Sequence, residues 1–428
     1  MLIVKKFGGT SVADKERILH VAGICAEEYH KGNDIVVVLS AMGKQTDVLL
    51  TQAEEINPNA PKREIDMLLT TGEQVSVALM AMALESMGVP AISFHAFQAG
   101  IYTTRAYGNA RIERIDTARM EEALAQRKIV IVAGFQGISE EGDYTTLGRG
   151  GSDTTAVALA AVLKADVCEI YTDVDGVYTA DPRLVPTAVK LKEITYDEML
   201  ELATLGAGVL HNRSVELAKR FGVEIIVKSS FQDIEGTRVC DWTGRKDVTG
   251  VLERGMISIT QSLESTTMEE MLVSGVTADK NTARIQLKGI KETTKEMYKI
   301  FLKLSEQHIG ADSVLMSPGS DNTTDISFTV PRDRLKETAD TLKKYSEEST
   351  QTVEIGIEDN IAKVSAVGAG MMSNPSIAVS MFEALYEAGI TIEMIYASEL
   401  RITVLVNEED TLKAIRAIHG RLIEKQLR

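Results

Sequence analysis

TLGRGGSDTTAVALAAVL, residues Thr146–Leu163, is the stretch from which the fold is read. Gly148, Gly150 and Gly151 surround Arg149, and an alanine-rich apolar run without a breaker follows. The pattern predicts a tight turn entering a helix, with Ser152-Asp153 as its N-cap pair. The first amides of a helix are unpaired and its dipole is positive there, so this turn attracts anions. Arg149 adds a planar fork that grips a carboxylate or phosphate with two parallel bonds. Asp153 does not suit a plain phosphate cradle, because a carboxylate repels a phosphate unless a metal or an ammonium lies between them. An Arg and an Asp four residues apart suit a ligand carrying both charges, such as an α-amino acid. The plainer alternative is a glycine turn with a surface Arg and an ordinary cap.

A second such unit opens the chain. Leu2–Lys6 reads as a strand, Phe7-Gly8-Gly9-Thr10-Ser11 as a turn, and a helix runs from there to Tyr29. Lys6 is placed to reach a phosphate lying over Gly8-Gly9. Asp34–Ser40 is a further strand, and Thr46 or Asp47 is expected to cap a helix reaching about Ile56. Gly43-Lys44 lacks the spacing of a P-loop. Ile65–Met87 reads as one long helix holding Glu73, a carboxylate between apolar turns that needs a partner if buried. Strands follow at Ala91–Phe94, Ile129–Phe135, Val167–Thr172 and Val223–Ser229, and helices at Tyr196–Leu205 and Asn212–Phe221. Asp173–Arg183 is an acidic, aromatic loop at a strand's C-terminal end, where α/β sheets bind ligands. The alternation predicts an α/β fold with a mostly parallel sheet covered on both faces.

The chain has 428 residues, 44% apolar and 25% charged, enough for two or three domains. Its net charge of −16 argues against nucleic acid as a partner and requires anions to be held by local cations and helix ends. Cys25, Cys168 and Cys240 have no metal-ligand spacing and suit a reducing compartment. No signal-peptide pattern is seen, and apolar runs such as Ile35–Leu39 are strand-sized, so a cytoplasmic protein without a membrane span is expected.

After Asp241-Trp242-Thr243-Gly244 a repeat of roughly 75–80 residues begins. Ala283–Ile290 matches Ala362–Gly370, Lys295–Glu306 matches Ile377–Glu387, and His308–Met316 matches Ala388–Tyr396. Thr324–Val330 matches Leu400–Val406, and Leu335–Tyr345 matches Thr411–Leu422. Each copy reads strand, helix, strand, strand, helix with one further strand, a ferredoxin-like module. Two such copies behind an α/β domain suit a sensor or an assembly module.

The polar candidates contain no Ser–His–Asp set and no general base. Phosphoryl transfer to a carboxylate needs none, since a carboxylate with a pKa of about 4 is already ionised. The obstacle is anion–anion repulsion, about 4 kcal/mol at about 4 Å and an effective dielectric near 20. Lys6, two helix N-termini and Mg²⁺ carried on nucleotide phosphates would offset it.

Several motifs together closely resemble the aspartate kinase (aspartokinase) family over the whole chain. They are Lys6-Phe7-Gly8-Gly9-Thr10-Ser11, Ser40-Ala41-Met42-Gly43, Thr145–Asp153, Tyr171–Arg183 and Val209-Leu210-His211. The resemblance implies an amino-acid-kinase catalytic domain, residues 1–245, and two ACT modules, 260–348 and 349–428. It implies ATP with Mg²⁺ and L-aspartate as reactants, giving 4-phospho-L-aspartate on the way to lysine, threonine and methionine. Catalytic roles fall on Lys6, Arg149 and Asp153. The aspartate site takes Thr46, Glu73, Arg149, Ser152 and Asp153, with Arg149 on the α-carboxylate and Glu73 and Asp153 around the ammonium. The nucleotide takes Lys6, Phe7, Gly8, Gly9, Ser40, Thr172, Asp173, Tyr178, Asp181 and Arg183, with help from Lys228. No residue of the chain is expected as a dedicated metal ligand. Asp279 and Asn281 match an effector-binding entry for lysine or threonine, and a homodimer or higher oligomer is expected through the ACT modules. The departures lie at Ile290–Lys295, where many relatives carry Asp-Lys-Pro-Gly, and at Asn374-Pro375-Ser376, where His-Pro-Gly is usual. Two other readings remain: a kinase for glutamate or another carboxylate, and an amino-acid sensor with an inactive kinase domain.

Overall fold

The computed structural model describes residues 1–206, 208–241, 273–291, 293–319, 323–348, 353–369, 371 and 374–424. The expected boundaries near 245 and 260 and the altered position Glu292 lie outside the described residues. The chain forms two compact units. One takes Met1–Tyr178, Val189–Thr204 and the described residues from Gly208 to Asp241; the other takes Thr179–Ala188, Leu205, Gly206 and the described residues from Val273 onward.

The first unit is built on an eight-stranded sheet. Its order is Glu193–Thr195, Thr237–Cys240, Ile225–Ser229, Val167–Thr172, Leu2–Phe7, Asp34–Leu39, Ile129–Ala133, Ala91–Phe94. Every pairing is parallel except that of Ile225–Ser229 with Thr237–Cys240, so the mostly parallel expectation holds. The central strands are continuous aliphatic runs because both faces are covered. On one face Phe7, Ile35, Val37, Leu39 and Ile131 pack with Val21 and Cys25 of helix Lys15–His30 and Val77, Met80 and Leu84 of helix Thr71–Ser86. On the other, helix Gly151–Val162 crosses the strands Leu2–Phe7, Asp34–Leu39 and Val167–Thr172. It is buried at every residue from Gly151 to Ala160, and its alanines let it lie close to the sheet. Strand alternation therefore sends Lys5 to the first face and Lys6 to the second.

The expected single helix over Ile65–Met87 is two, Lys62–Leu69 and Thr71–Ser86. The interruption falls at Thr70, whose carbonyl accepts from Gln136 Nε2 at 3.1 Å. Together Lys62–Ser86 has the length and apolar content of a membrane span, contrary to the expectation of strand-sized runs only, yet half of it is buried inside the protein. The polar excursion between the strands Ala91–Phe94 and Ile129–Ala133 contributes to a small second sheet ordered Ile112–Ile115, Ile101–Thr103, Gln136–Ile138, Tyr144–Thr146.

In the second unit, Thr282–Ile290, Asp312–Pro318, Thr324–Pro331 and Glu354–Glu358 form one antiparallel sheet. It carries helices Thr293–Glu306 and Leu335–Glu348. The other sheet uses Ile361–Val367, Met394–Ala397 and Arg401–Asn407 with helices Pro375–Glu387 and Thr411–His419. Its fourth strand is Gly275–Asp279, from upstream of the first module. The strand pairing is thus not a tandem of 260–348 and 349–428: the first module is inserted within the second. After His419 the chain continues as a helical turn, Gly420–Glu424. Asn374 caps its helix by accepting from Ser376 N at 3.2 Å, with Pro375 in the first turn.

Candidate active site

Both glycine turns open onto one cleft in the first unit, with a volume of about 780 Å³. Lys6, Gly8, Gly9, Ser40, Thr46, Glu73, Arg149, Ser152 and Asp153 all line it. Lys6 Nζ lies 2.6 Å from Asp153 Oδ1, with both side chains nearly nine-tenths buried. The pair joins the first strand to the first turn of helix Gly151–Val162. An aimed ammonium at a helix N-terminus is a preorganised field for a developing anion.

The second turn departs from the expected capping. Gly150, with φ +68°, is the N-cap, and Ser152 and Asp153 are already inside the helix. They are therefore released from capping and face the cleft, where Ser40 Oγ donates to Ser152 Oγ at 3.0 Å. Thr46 and Asp47 likewise lie inside helix Gln45–Ile56 rather than at its cap, which is Lys44. Arg149 is exposed on the cleft and makes no ion pair among the described residues.

Glu73 is 2% exposed. Its Oε1 accepts from Ala41 N at 3.1 Å, and its Oε2 has no partner among the described residues. Burial pushes its carboxyl up to about 8, with the Ala41 amide opposing. A buried acceptor left open on a cleft is complementary to an incoming donor cation.

The expected nucleotide residues divide. Phe7 is fully buried and stacked on Tyr171 at 4.5 Å, so only its backbone is available. Thr172 Oγ1 donates to Asp173 Oδ1 at 3.0 Å, and Tyr178 OH to Asp175 Oδ1 at 2.9 Å. Asp181 and Arg183 pair with each other bidentately at 3.0 and 2.8 Å and belong to the second unit. None of these residues lines the cleft. In the second unit, Asp279 accepts from Asn281 N at 2.8 Å and Thr282 Oγ1 at 3.0 Å, while Asn281 Oδ1 accepts from Asp333 N at 3.1 Å. Both side chains are engaged in the turn between the two sheets.

Sequence reading missed two groups. Asp66 and Arg213 bind backbone around the second turn. On the opposite face of the sheet, buried Lys5 pairs with Glu169, which also meets Lys228 Nζ at 3.3 Å and accepts from Tyr171 OH at 3.0 Å. Burial would lift the Glu169 carboxyl, but the two ammonium groups hold it below its ordinary value. The signal for this group was a lysine at a core-facing strand position, which demands a buried acid.

Residues 1–229 match the amino acid kinase family and residues 364–422 the ACT domain. The aspartokinase of Bacillus sp. (strain MGA3) is 48% identical over 419 residues, covering 98% of this chain and 96% of its own. The crystal structure of E. coli aspartokinase III in complex with aspartate and ADP (R-state) superposes with a TM-score of 0.78 at 26% identity, covering 99% of this chain and all of that one. The same enzyme in complex with lysine and aspartate (T-state) gives 0.70 at 26% identity, over 99% of both chains. With both glycine turns, the Lys6–Asp153 pair and the doubled C-terminal module in place, the chain belongs to the aspartokinase family.

Proposed function

We propose that this chain transfers the γ-phosphoryl group of ATP to the side-chain carboxylate of L-aspartate, forming 4-phospho-L-aspartate and ADP. The observation that carries the reading is the Lys6–Asp153 pair in the same cleft as Arg149 and open-sided Glu73. A carboxylate oxygen attacks the γ-phosphorus, the bond to the β-phosphate oxygen breaks, and ADP leaves with the electron pair. No side chain has to accept a proton. Lys6 and the amide of Ser152 balance charge on the moving phosphoryl group, and Asp153 holds Lys6 in place. Arg149 grips the α-carboxylate, and Glu73 takes the ammonium through Oε2, with Thr46 and Ser152 alongside. The nucleotide lies over Gly8 and Gly9 near Ser40, with Thr172, Asp173 and Tyr178 beyond it.

Among the described residues no group of His, Cys, Asp or Glu converges to hold a metal. Asp153, Asp66 and one oxygen of Glu73 are already engaged. This donor set fits Mg²⁺ only as a guest of the phosphates, where it would neutralise their charge. A coupled assay of ADP release tests the function. Stimulation by aspartate and not by glutamate supports it; stimulation by glutamate alone, or by neither, overturns it.

Regulation belongs to the same reading. A relative similar over its whole length has been solved with lysine, so lysine is the first effector to test and threonine the second. The ACT modules, taken as residues 273–281 with 361–424 around an inserted 282–358, would hold it near Asp279 and Asn281 and would join two chains as a homodimer. Titrating each amino acid into the assay, with sedimentation of the full chain, checks both points.

A further inference from the structure

The second glycine turn is closed by Gly151 N donating to Gly148 O at 3.0 Å, and Leu147 N donates to Phe135 O at 2.8 Å. Gly148 and Gly150 both have positive φ, at +79° and +68°, so where this permissive backbone sits also depends on ties from outside. Two side chains add such ties. Asp66, 1% exposed on helix Lys62–Leu69, accepts through Oδ2 from Gly108 N at 2.9 Å and Thr146 N at 2.8 Å, and through Oδ1 from Thr146 Oγ1 at 2.8 Å. Arg213, on helix Asn212–Phe221, donates to Leu147 O at 2.7 Å and Ala110 O at 2.6 Å.

The acid holds N–H groups and the guanidinium holds C=O groups of the same two segments, which are also joined directly by Ala110 N to Thr146 O at 2.8 Å. Arg213 makes no ion pair among the described residues. Its fork is spent on two carbonyls from two different segments, which only a planar, two-pronged donor spans. Gly108, Asn109, Thr146, Gly148 and Arg149 all line the cleft. The clamp therefore sets the origin from which Arg149 projects.

We propose that Asp66 and Arg213 are positioning residues for the amino-acid half of the site, fixing where Arg149 meets the α-carboxylate and so setting affinity for aspartate rather than for ATP. The proposal rests on the reading of Arg149 given above.

Steady-state kinetics of the full chain test it, using Arg213→Lys, the near-isosteric Thr146→Val and a core control, Leu84→Ala, each with its melting temperature. One ammonium does not span both carbonyls, so Arg213→Lys should raise the KM for aspartate tenfold or more and leave the KM for ATP within twofold. Thr146→Val, which removes one tie to Asp66, should raise it two- to fivefold at near-native melting temperature. Leu84→Ala should lower the melting temperature without splitting the two KM values. The clamp is refuted if Arg213→Lys and Thr146→Val leave the aspartate KM unchanged, or move both KM values together as Leu84→Ala does. Arg149→Lys separates the layers: if it raises the aspartate KM while the clamp variants do not, the clamp fails and the Arg149 reading stands. If Arg149→Lys itself spares aspartate, the underlying reading fails.

Discussion

The turn at Gly8–Gly9 and the turn at Gly148–Gly151 both end a strand, begin a helical segment and face one cleft, yet they need glycine for different reasons. Gly8 has an ordinary extended backbone, with φ −74°. Gly9 is required by proximity: a Cβ there would stand 2.7 Å from Ala41 O and 2.8 Å from Gly43 O, both backbone atoms. Gly150 is required by handedness, with φ +68°, and a Cβ there would also lie 2.3 Å from the His211 side chain. The first turn is held tight against the neighbouring loop, beside Lys6. The second is tied to its surroundings by Asp66 and Arg213 in addition to its own backbone bonds, and carries Arg149. Under the proposed function, rigidity built in by packing would serve the phosphate end, and rigidity added by side chains would serve the amino-acid end.

The largest expected effect lies on the first turn. Lys6→Ala should lower kcat by about 10²–10³ in a folded protein, measured by single-turnover ADP formation. Near-native turnover would remove the phosphate role from that turn. Arg149→Lys comes next. It loses bidentate geometry and about 1.5–3 kcal/mol, so the KM for aspartate should rise roughly ten- to hundredfold while that for ATP barely moves. Equal weakening of both substrates would move Arg149 to the nucleotide and erase the division of labour.

The glycines themselves sharpen the contrast. Gly150→Ala should cost about 1–2 kcal/mol for its left-handed backbone plus a part for the His211 overlap. Adding His211→Gly should recover that second part in urea melts, since glycine replaces a capping side chain at a cost of about a few tenths of a kcal/mol. Gly9→Ala has no side chain whose removal would relieve it. Recovery of Gly9→Ala by a distant truncation, or none for Gly150→Ala, would contradict the two explanations.

The smallest effect concerns pH. Burial raises Glu73 to about 8, above its unfolded value, so its contribution to stability is fully present below about pH 4.5 and is lost as pH rises through about 8. Binding a substrate ammonium needs the carboxylate form, so the bound proton must leave. The KM for aspartate should therefore fall as pH rises from 6 to 8, by at most about tenfold per pH unit. Glu73→Gln should abolish that slope and flatten the corresponding dependence of stability. A slope unchanged in Glu73→Gln would assign it elsewhere.

The sequence determined the periodic features: the aliphatic strands, the two strand–glycine–helix units, the alternation that implies a parallel sheet, and the C-terminal repeat. These follow from local chemistry, because side-chain period and glycine placement act within a few residues. It also indicated Lys6, Glu73, Arg149 and Asp153, since charges beside glycine turns or inside apolar helices stand out from their neighbours. Tertiary structure alone decided how they are used. Ser152 and Asp153 left the cap because Gly150 took that position, and Asp153 met Lys6 because a crossing helix brought residues 147 positions apart to 2.6 Å. The helix over Ile65–Met87 is interrupted at Thr70, whose carbonyl accepts from Gln136, a partner 66 positions away. Strand Gly275–Asp279 joined a sheet whose other members begin some eighty residues later, past an entire inserted module. Asp66, Arg213 and the identity of the acid that Lys5 demands were illegible for the same reason: each is defined by partners far away in the chain, and a buried charge has meaning only once the group that satisfies it is in place.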